Sequence, residues 1–260
     1  MSRSASSRAN KRGEPPPSPE PLPAPALDSH THLDIAVGGE DRLPADDEVD
    51  AEIAAAAAVG VTRLVQVGVD VPSSRWSAAL AEIDRLAALP RVRAVGETGL
   101  DRFRTGPEGW DAQEASFRAH IAIAKRHGIA LVIHDRDAHP EILRVLDDVG
   151  LPEHTVFHCF SGDAAFARQC LDRGAVLSFA GTLTFGNAGY LREAAAIAPA
   201  DQLLVETDSP FLTPVPHRGR PNASRLVPHT VRALAEVTGI ELPALCDQLT
   251  ATAERVFGSW

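Results

Sequence analysis

The chain has 260 residues, 44% of them hydrophobic, and 35 acidic side chains against 25 Lys and Arg, for a formal charge of -10. That is enough apolar material for one large α/β domain. The acidic balance excludes a general nucleic-acid coat protein, whose affinity comes from neutralising phosphates, but not an enzyme that meets phosphate with a few local cations. Cys159, Cys170 and Cys246 are odd in number and lack a Cys-x-x-Cys spacing, so they read as reduced core thiols of a cytoplasmic protein. No apolar run is long enough to span a bilayer, so no membrane partner is expected. The sequence says nothing of oligomeric partners.

In chain order, residues 1–26 carry Arg3, Arg8, Lys11 and Arg12 and then repeated prolines, without the apolar segment of a secretory signal. They read as a disordered basic tail, and 27–260 as one domain. From there strands near 27–33, 63–69, 92–97, 130–134, 155–159, 176–180 and 203–207 alternate with helices near 46–59, 74–88, 111–127, 140–148, 163–173, 188–197, 224–238 and 242–256. Gly60, Gly128, Gly150, Gly174 and Gly239 each follow a helical stretch, where a left-handed residue stops the helix. Asp163 suits an N-cap and Pro140 a first helical turn. Such alternation predicts a parallel sheet covered by helices. No glycine-rich phosphate loop follows the first strand, which favours a TIM-like parallel β/α barrel over an open sheet.

The informative feature is how five of these strands finish. His30 and His32 close the first, Glu97 the third, His134 the fourth, His158 the fifth and Asp208 the last. In a parallel barrel all these ends open on one face, so the six side chains are expected to converge on a metal centre. A His-x-His pair on a strand points both imidazoles to one side, within reach of one cation at about 2.0–2.1 Å. Asp28 is placed to orient a histidine from behind, and Glu206 to do the same near Asp208. Ion pairs with Arg136 or Arg218 are the competing reading of the two buried carboxylates. His120, His127, His139, His154 and His229 fall on helices and read as surface or capping residues.

These residues carry a family resemblance. Asp-Ser-His-Thr-His-Leu-Asp at 28–34, Val-Gly-Glu-Thr-Gly-Leu-Asp at 95–101, Ile-His-Asp-Arg-Asp-Ala at 133–138, His-Cys-Phe-Ser-Gly at 158–162, Glu-Thr-Asp-Ser-Pro-Phe-Leu at 206–212 and Arg-Gly-Arg-Pro-Asn at 218–222 resemble the motifs of TatD-type metal-dependent deoxyribonucleases. The resemblance implies an amidohydrolase-like barrel that cleaves DNA phosphodiesters from the 3′ end with a metal-activated water. It implies one metal on His30, His32 and Asp208 and a second on His134 and His158, with Glu97 touching both and catalytic alongside Asp208, the proton acceptor. One or two divalent ions are expected, among Mg, Mn, Zn, Fe and Ni. Arg136, Ser161 and Arg218 are the expected contacts to the substrate phosphate. The chain departs from the family pattern at Ala223, Ser224, Thr252 and Arg102-Phe103. Between Val69 and Val92 it also has room for only one helix, with Trp76, Leu80, Ile83, Leu86 and Ala87 inward, where the family fits a further strand. A barrel of seven rather than eight strands follows. The same ligands also suit an esterase, amidase or aminoacyl-tRNA deacylase, and a non-catalytic binding protein is the remaining alternative.

Overall fold

A computed structural model of the chain describes residues 15–39, 44–67 and 76–259. Seven strands appear among them: β1 (Ala26–Thr31), β2 (Val61–Gln66), β3 (Ala94–Asp101), β4 (Ala130–Arg136), β5 (Thr155–Phe157), β6 (Val176–Phe179) and β7 (Leu203–Val205). They alternate with helices α1 (Leu33–Gly38), α2 (Asp46–Ala58), α3 (Trp76–Ala87), α4 (Pro107–His127), α5 (His139–Val149), α6 (Ala164–Asp172), α7 (Gly189–Ala196), α8 (Val227–Thr238) and α9 (Leu242–Phe257). Every pairing is parallel, β1 with β2 in one sheet and β3 through β7 in order in another. A single bridge, Thr31 to Ser209, joins the end of the second sheet to the first. Among the described residues no strand pairs with the facing edges of β2 and β3, so the wall has a seam there.

Two buried layers follow from strand alternation. Leu131, Ile133, Phe157, Leu177 and Val205 point outward against helical residues such as Phe117, Ile121, Ile142 and Leu146. The smaller layer takes Leu27, Val65, Ala94, Val132, Val156, Val176 and Leu204, at least one residue from each of the seven strands. Only the space enclosed by the ring can be touched by all seven, so this is the barrel interior. Ala253, Val256 and Phe257 of α9 plug it from below. Two residues beyond Val132 on the same strand stands His134, and two beyond Val156 stands His158, so both rise on the interior side.

Several local expectations need correction. The segment 15–26 is not a disordered tail. Leu22 is buried and its N–H donates to the Val59 carbonyl. Arg232 donates to the carbonyls of Glu20 and Pro21, and Thr250 to that of Pro25. Prolines carry no N–H to satisfy, so an irregular run can lie flat on helices without a ladder. Residues 1–14 lie outside the described residues, as do 68 and 69 at the end of the second predicted strand and the side chain of Trp76. Leu80, Ile83 and Ala87 pack inward as expected, whereas Leu86 is exposed. The short α1 has no counterpart in the sequence reading. Asp163 caps α6 by accepting from the Phe166 N–H. His120 is buried, its Nδ1 against the Ser116 carbonyl, rather than on the surface.

Candidate metal centre

β3 does not end at Glu97. It runs on to Asp101, and its register with β4 slips between Val95 and Thr98. Three residues on β3 there span what two span on β4, which is a bulge, a device that turns one side chain away from its regular direction. Gly96 sits at φ 155°, and a Cβ on it would meet the Val132 carbonyl oxygen at 2.6 Å. The side chain re-aimed at this point is Glu97. Gly99 brings β3 closer still, since a Cβ there would lie 1.9 Å from the His134 carbonyl oxygen. At the far side, Asp208 lies past the end of β7 at φ 53°, a left-handed conformation that Asp tolerates better than most residues.

All six predicted side chains come together. Glu97 reaches His134 Nδ1 at 2.5 Å, His158 Nε2 at 3.0 Å and His30 Nε2 at 3.8 Å. Asp208 Oδ1 lies 3.4 Å from His32 Nε2 and 3.9 Å from His30 Nε2. The Nε2 atoms of His30 and His32 face each other at 3.3 Å, and the rings of His30 and His158 stack at 3.9 Å. Three overlapping sets, His30–His32–Glu97, His30–His158–Asp208 and Glu97–His134–His158, each hold their ligand atoms within 4.8 Å of one another. His30, Glu97 and His158 each belong to two of the sets, so the sets share members as neighbouring cation positions would. Among the described residues neither Glu97 nor Asp208 pairs with an arginine or lysine, so the ion-pair reading fails. Arg136 and Arg218 lie instead over the rings of Phe103 and Phe185, at 4.0 and 3.8 Å. The Ser161 hydroxyl donates to the Asp135 carbonyl at 3.3 Å, and α6 begins three residues later.

Behind the imidazoles stands a supporting layer. The Val67 carbonyl lies 2.9 Å from His32 Nδ1. A carbonyl only accepts, so that nitrogen carries the proton and Nε2 keeps its lone pair for the centre. Glu206 Oε1 holds His158 Nδ1 at 3.1 Å and accepts the Cys159 N–H at 2.9 Å. Asp101 Oδ2 lies 3.3 Å from His134 Nε2. Glu206 is foreseeable from its position two residues before Asp208. Asp101 is not, because the predicted strand stopped at Glu97; its one signal is its place in the motif at 95–101. Asp28 holds no imidazole. Its carboxylate accepts from Thr207 N–H and Oγ1 at 2.8 and 2.5 Å and ties β1 to β7. Ser224 reaches Thr31 at 3.3 Å, and Asn222 donates to the Thr207 carbonyl at 2.9 Å. Thr252 is buried with no partner for its hydroxyl among the described residues.

The titration directions fit a site built around positive charge. Burial opposes the Glu97 charge, but hydrogen bonds from His134 and His158 hold it well below the usual carboxylate range. Burial likewise opposes a charged His158, yet the carboxylates of Glu206 and Glu97 raise it well above an ordinary imidazole. His32 is raised by Asp208 and the Val67 carbonyl against burial, and His30 is lowered by burial and by His158. Burial pushes Glu206 up, and Asp28 to about 7. The buried carboxylates thus favour positive charge among these imidazoles, which a divalent cation also supplies; metal and protons compete for such sites. The mixed imidazole and carboxylate set fits a divalent transition metal, and His30 Nδ1, buried without a partner, leaves that ring free to offer Nε2.

Residues 72–258 match the sequence profile of a family described as TatD related DNase. The chain belongs to this family. The metal-dependent hydrolase TatD of Mycobacterium tuberculosis is 42% identical over 262 positions, covering 89% of this chain and 97% of that TatD protein. The 3′-5′ ssDNA/RNA exonuclease TatD of Citrobacter rodentium is 36% identical over 193 positions, 72% of this chain and 73% of its own length. The crystal structure of the TatD homolog YJJV from Escherichia coli shares the fold with a TM-score of 0.79 at 22% identity, covering 90% of this chain and 98% of its own. The mycobacterial alignment is 262 positions long yet takes in 89% of 260 residues, so about 30 of its positions lack a residue here. That is the size of a strand-and-helix unit.

Proposed function

We propose that this TatD-family chain is a cytoplasmic 3′-5′ exonuclease that hydrolyses the phosphodiester bonds of single-stranded DNA or RNA. The observation that carries the reading is Glu97, one carboxylate lying between the imidazoles of His134 and His158 on one side and His30 on the other. A single carboxylate with two oxygens suits a pair of cations, and the name of the Citrobacter relative supplies the substrate class. His30, His32 and Asp208 would hold one divalent ion, and His134 and His158 the other. Bound there, the ions supply Lewis acidity, which acidifies water and neutralises phosphate charge.

The chain's own groups do the rest. Asp208, at the mouth with its carboxylate partly exposed, takes the proton of the attacking water. Glu206 and Asp101 fix the rings of His158 and His134, so their free nitrogens stay aimed at the centre. Arg136 and Arg218 offer paired donors to the substrate backbone from the rim. All three cysteines are free thiols, as suits a reducing compartment, and no described helix is long and apolar enough to cross a membrane.

The test is a panel of 3′-labelled single-stranded DNA, RNA and duplex, followed by small esters and amides, each with Mg, Mn, Zn, Fe or Ni. Stepwise shortening of single strands from the 3′ end is the expected outcome. Hydrolysis of small esters or amides with intact oligonucleotides would overturn it in favour of an amidohydrolase-type activity.

A further inference from the structure

The rim of the centre carries positive charge that no described residue neutralises. The chain has 35 acidic residues, and arginines such as Arg63, Arg118, Arg173 and Arg225 are paired with carboxylates. Arg102, Arg104, Arg136 and Arg218, all at strand ends or in loops on the site face, make no ion pair with a described residue. Nε and Nη1 of Arg102 are buried with no hydrogen-bond partner, the guanidinium lying 4.1 Å from the Trp110 ring centre. Unneutralised guanidinium groups on an acidic protein point to an anionic ligand.

Phe103 stands among them. It is 65% exposed, the most exposed large apolar side chain among the described residues. One face rests on the Arg136 guanidinium at 4.0 Å, and no ring of a described residue packs on it. Its position is fixed from within: Asp101 Oδ1 accepts the N–H groups of Phe103 and Arg104 at 2.9 and 2.7 Å. The other oxygen of the same carboxylate lies 3.3 Å from His134 Nε2. The Arg102 N–H also donates to the Arg136 carbonyl at 2.9 Å. A flat apolar ring, backed by a cation and tied through one carboxylate to a metal-facing histidine, is a stacking surface at a set place beside the centre.

We propose that Phe103, supported by Arg136, stacks a nucleobase near the 3′ end of a single strand and so sets the preference for unpaired nucleic acid. The proposal rests on the nuclease reading above. A base in a duplex is already stacked on its neighbours and does not turn onto the ring without unpairing, whereas an unpaired base does, whatever its identity. Phe103 is therefore a specificity-determining residue with no part in the bond-breaking step.

The test compares two 3′-labelled single strands of equal length, one with every base and one abasic over its last four nucleotides, on wild type, Phe103→Ala and Phe103→Trp loaded with the same metal. Wild type should show about a tenfold higher KM on the abasic strand, within the range measured for single stacked bases. Phe103→Ala should raise KM on the complete strand to the abasic level, leave KM on the abasic strand unchanged and keep kcat on both. Phe103→Trp should restore the difference. Because Phe103 is exposed, unchanged melting temperatures are expected. Cleavage of both strands with equal KM by wild type, or an equal loss on both in Phe103→Ala, overturns the stacking role and leaves the nuclease reading standing. Failure of wild type to cleave either strand overturns both.

Discussion

Glu206 tests the supporting layer most directly. Its side chain is fully buried, and one oxygen serves two donors, His158 Nδ1–H and the Cys159 N–H. Glu206→Gln keeps a carbonyl oxygen able to accept from both but removes the charge that makes His158 a stronger donor to a cation. Loss of such an outer partner costs 10- to 100-fold in metal affinity, or about 1.4–2.7 kcal/mol. Glu206→Ala removes the acceptor as well and strands two donors in a dry site, at about 1–3 kcal/mol each. Since the amide retains the geometry, Glu206→Gln should fall at the low end, about tenfold, with an almost unchanged melting temperature. The alanine variant should melt earlier and bind about 100-fold more weakly. Calorimetric titration of the apo protein with Mn or Zn, beside metal content after dialysis, reads both. Wild-type affinity at both sites in Glu206→Gln would show that the carboxylate charge does not act through His158.

Glu97→Ala should lose metal and phosphodiesterase activity together while keeping the circular dichroism of the barrel, whereas Asp208→Asn should keep some metal and lose about 10²-fold in rate; wild-type turnover of either at saturating metal would remove that residue from the mechanism. Gly99→Ala forces a Cβ into the His134 carbonyl at 1.9 Å and strains φ 148°. It should cost about 3 kcal/mol or more and lower Tm by roughly 6–12 °C; an unchanged Tm would mean that β3 does not lie this close to β4. Burial alone would lower His139, but the hydrogen bond and charge of Asp135, with Asp137 and Asp163, raise it above its ordinary 6.5. A raised folded value means the stabilisation is complete below pH 6.5 and is lost as pH rises through the folded value. The Tm gap between wild type and His139→Gln should therefore close as pH rises above 6.5, and a gap that widens would reverse the assignment.

The convergence of the six candidate residues was legible because parallel strands expose their carboxyl ends on one face, so polar residues at the tips of apolar runs need only sequence order to be grouped. The barrel followed from the same alternation. What did not show was anything dependent on a broken period. The bulge at Gly96 leaves no mark in a two-residue alternation, so β3 was cut at Glu97 and Asp101 fell into a predicted loop. Asp28 shares the even-numbered register of His30, yet β1 is irregular beyond it, and its carboxylate faces β7 instead of an imidazole. The Pro-rich lead-in from residue 15 mimics disorder because what holds it is backbone hydrogen bonds and scattered buried side chains such as Leu22, neither of which has a sequence pattern.

The seam gives the centre a mechanical office. Among the described residues the wall is a C rather than an O: His30 and His32 hang from the two-stranded piece, while Glu97, His134 and His158 hang from the five-stranded one. Ions gripped from both sides would act as a clasp across the opening, so that coordination energy would become resistance to the two pieces parting. Loading the site then tightens the whole ring, and amide exchange along the facing edges of β2 and β3 should slow together when metal is added.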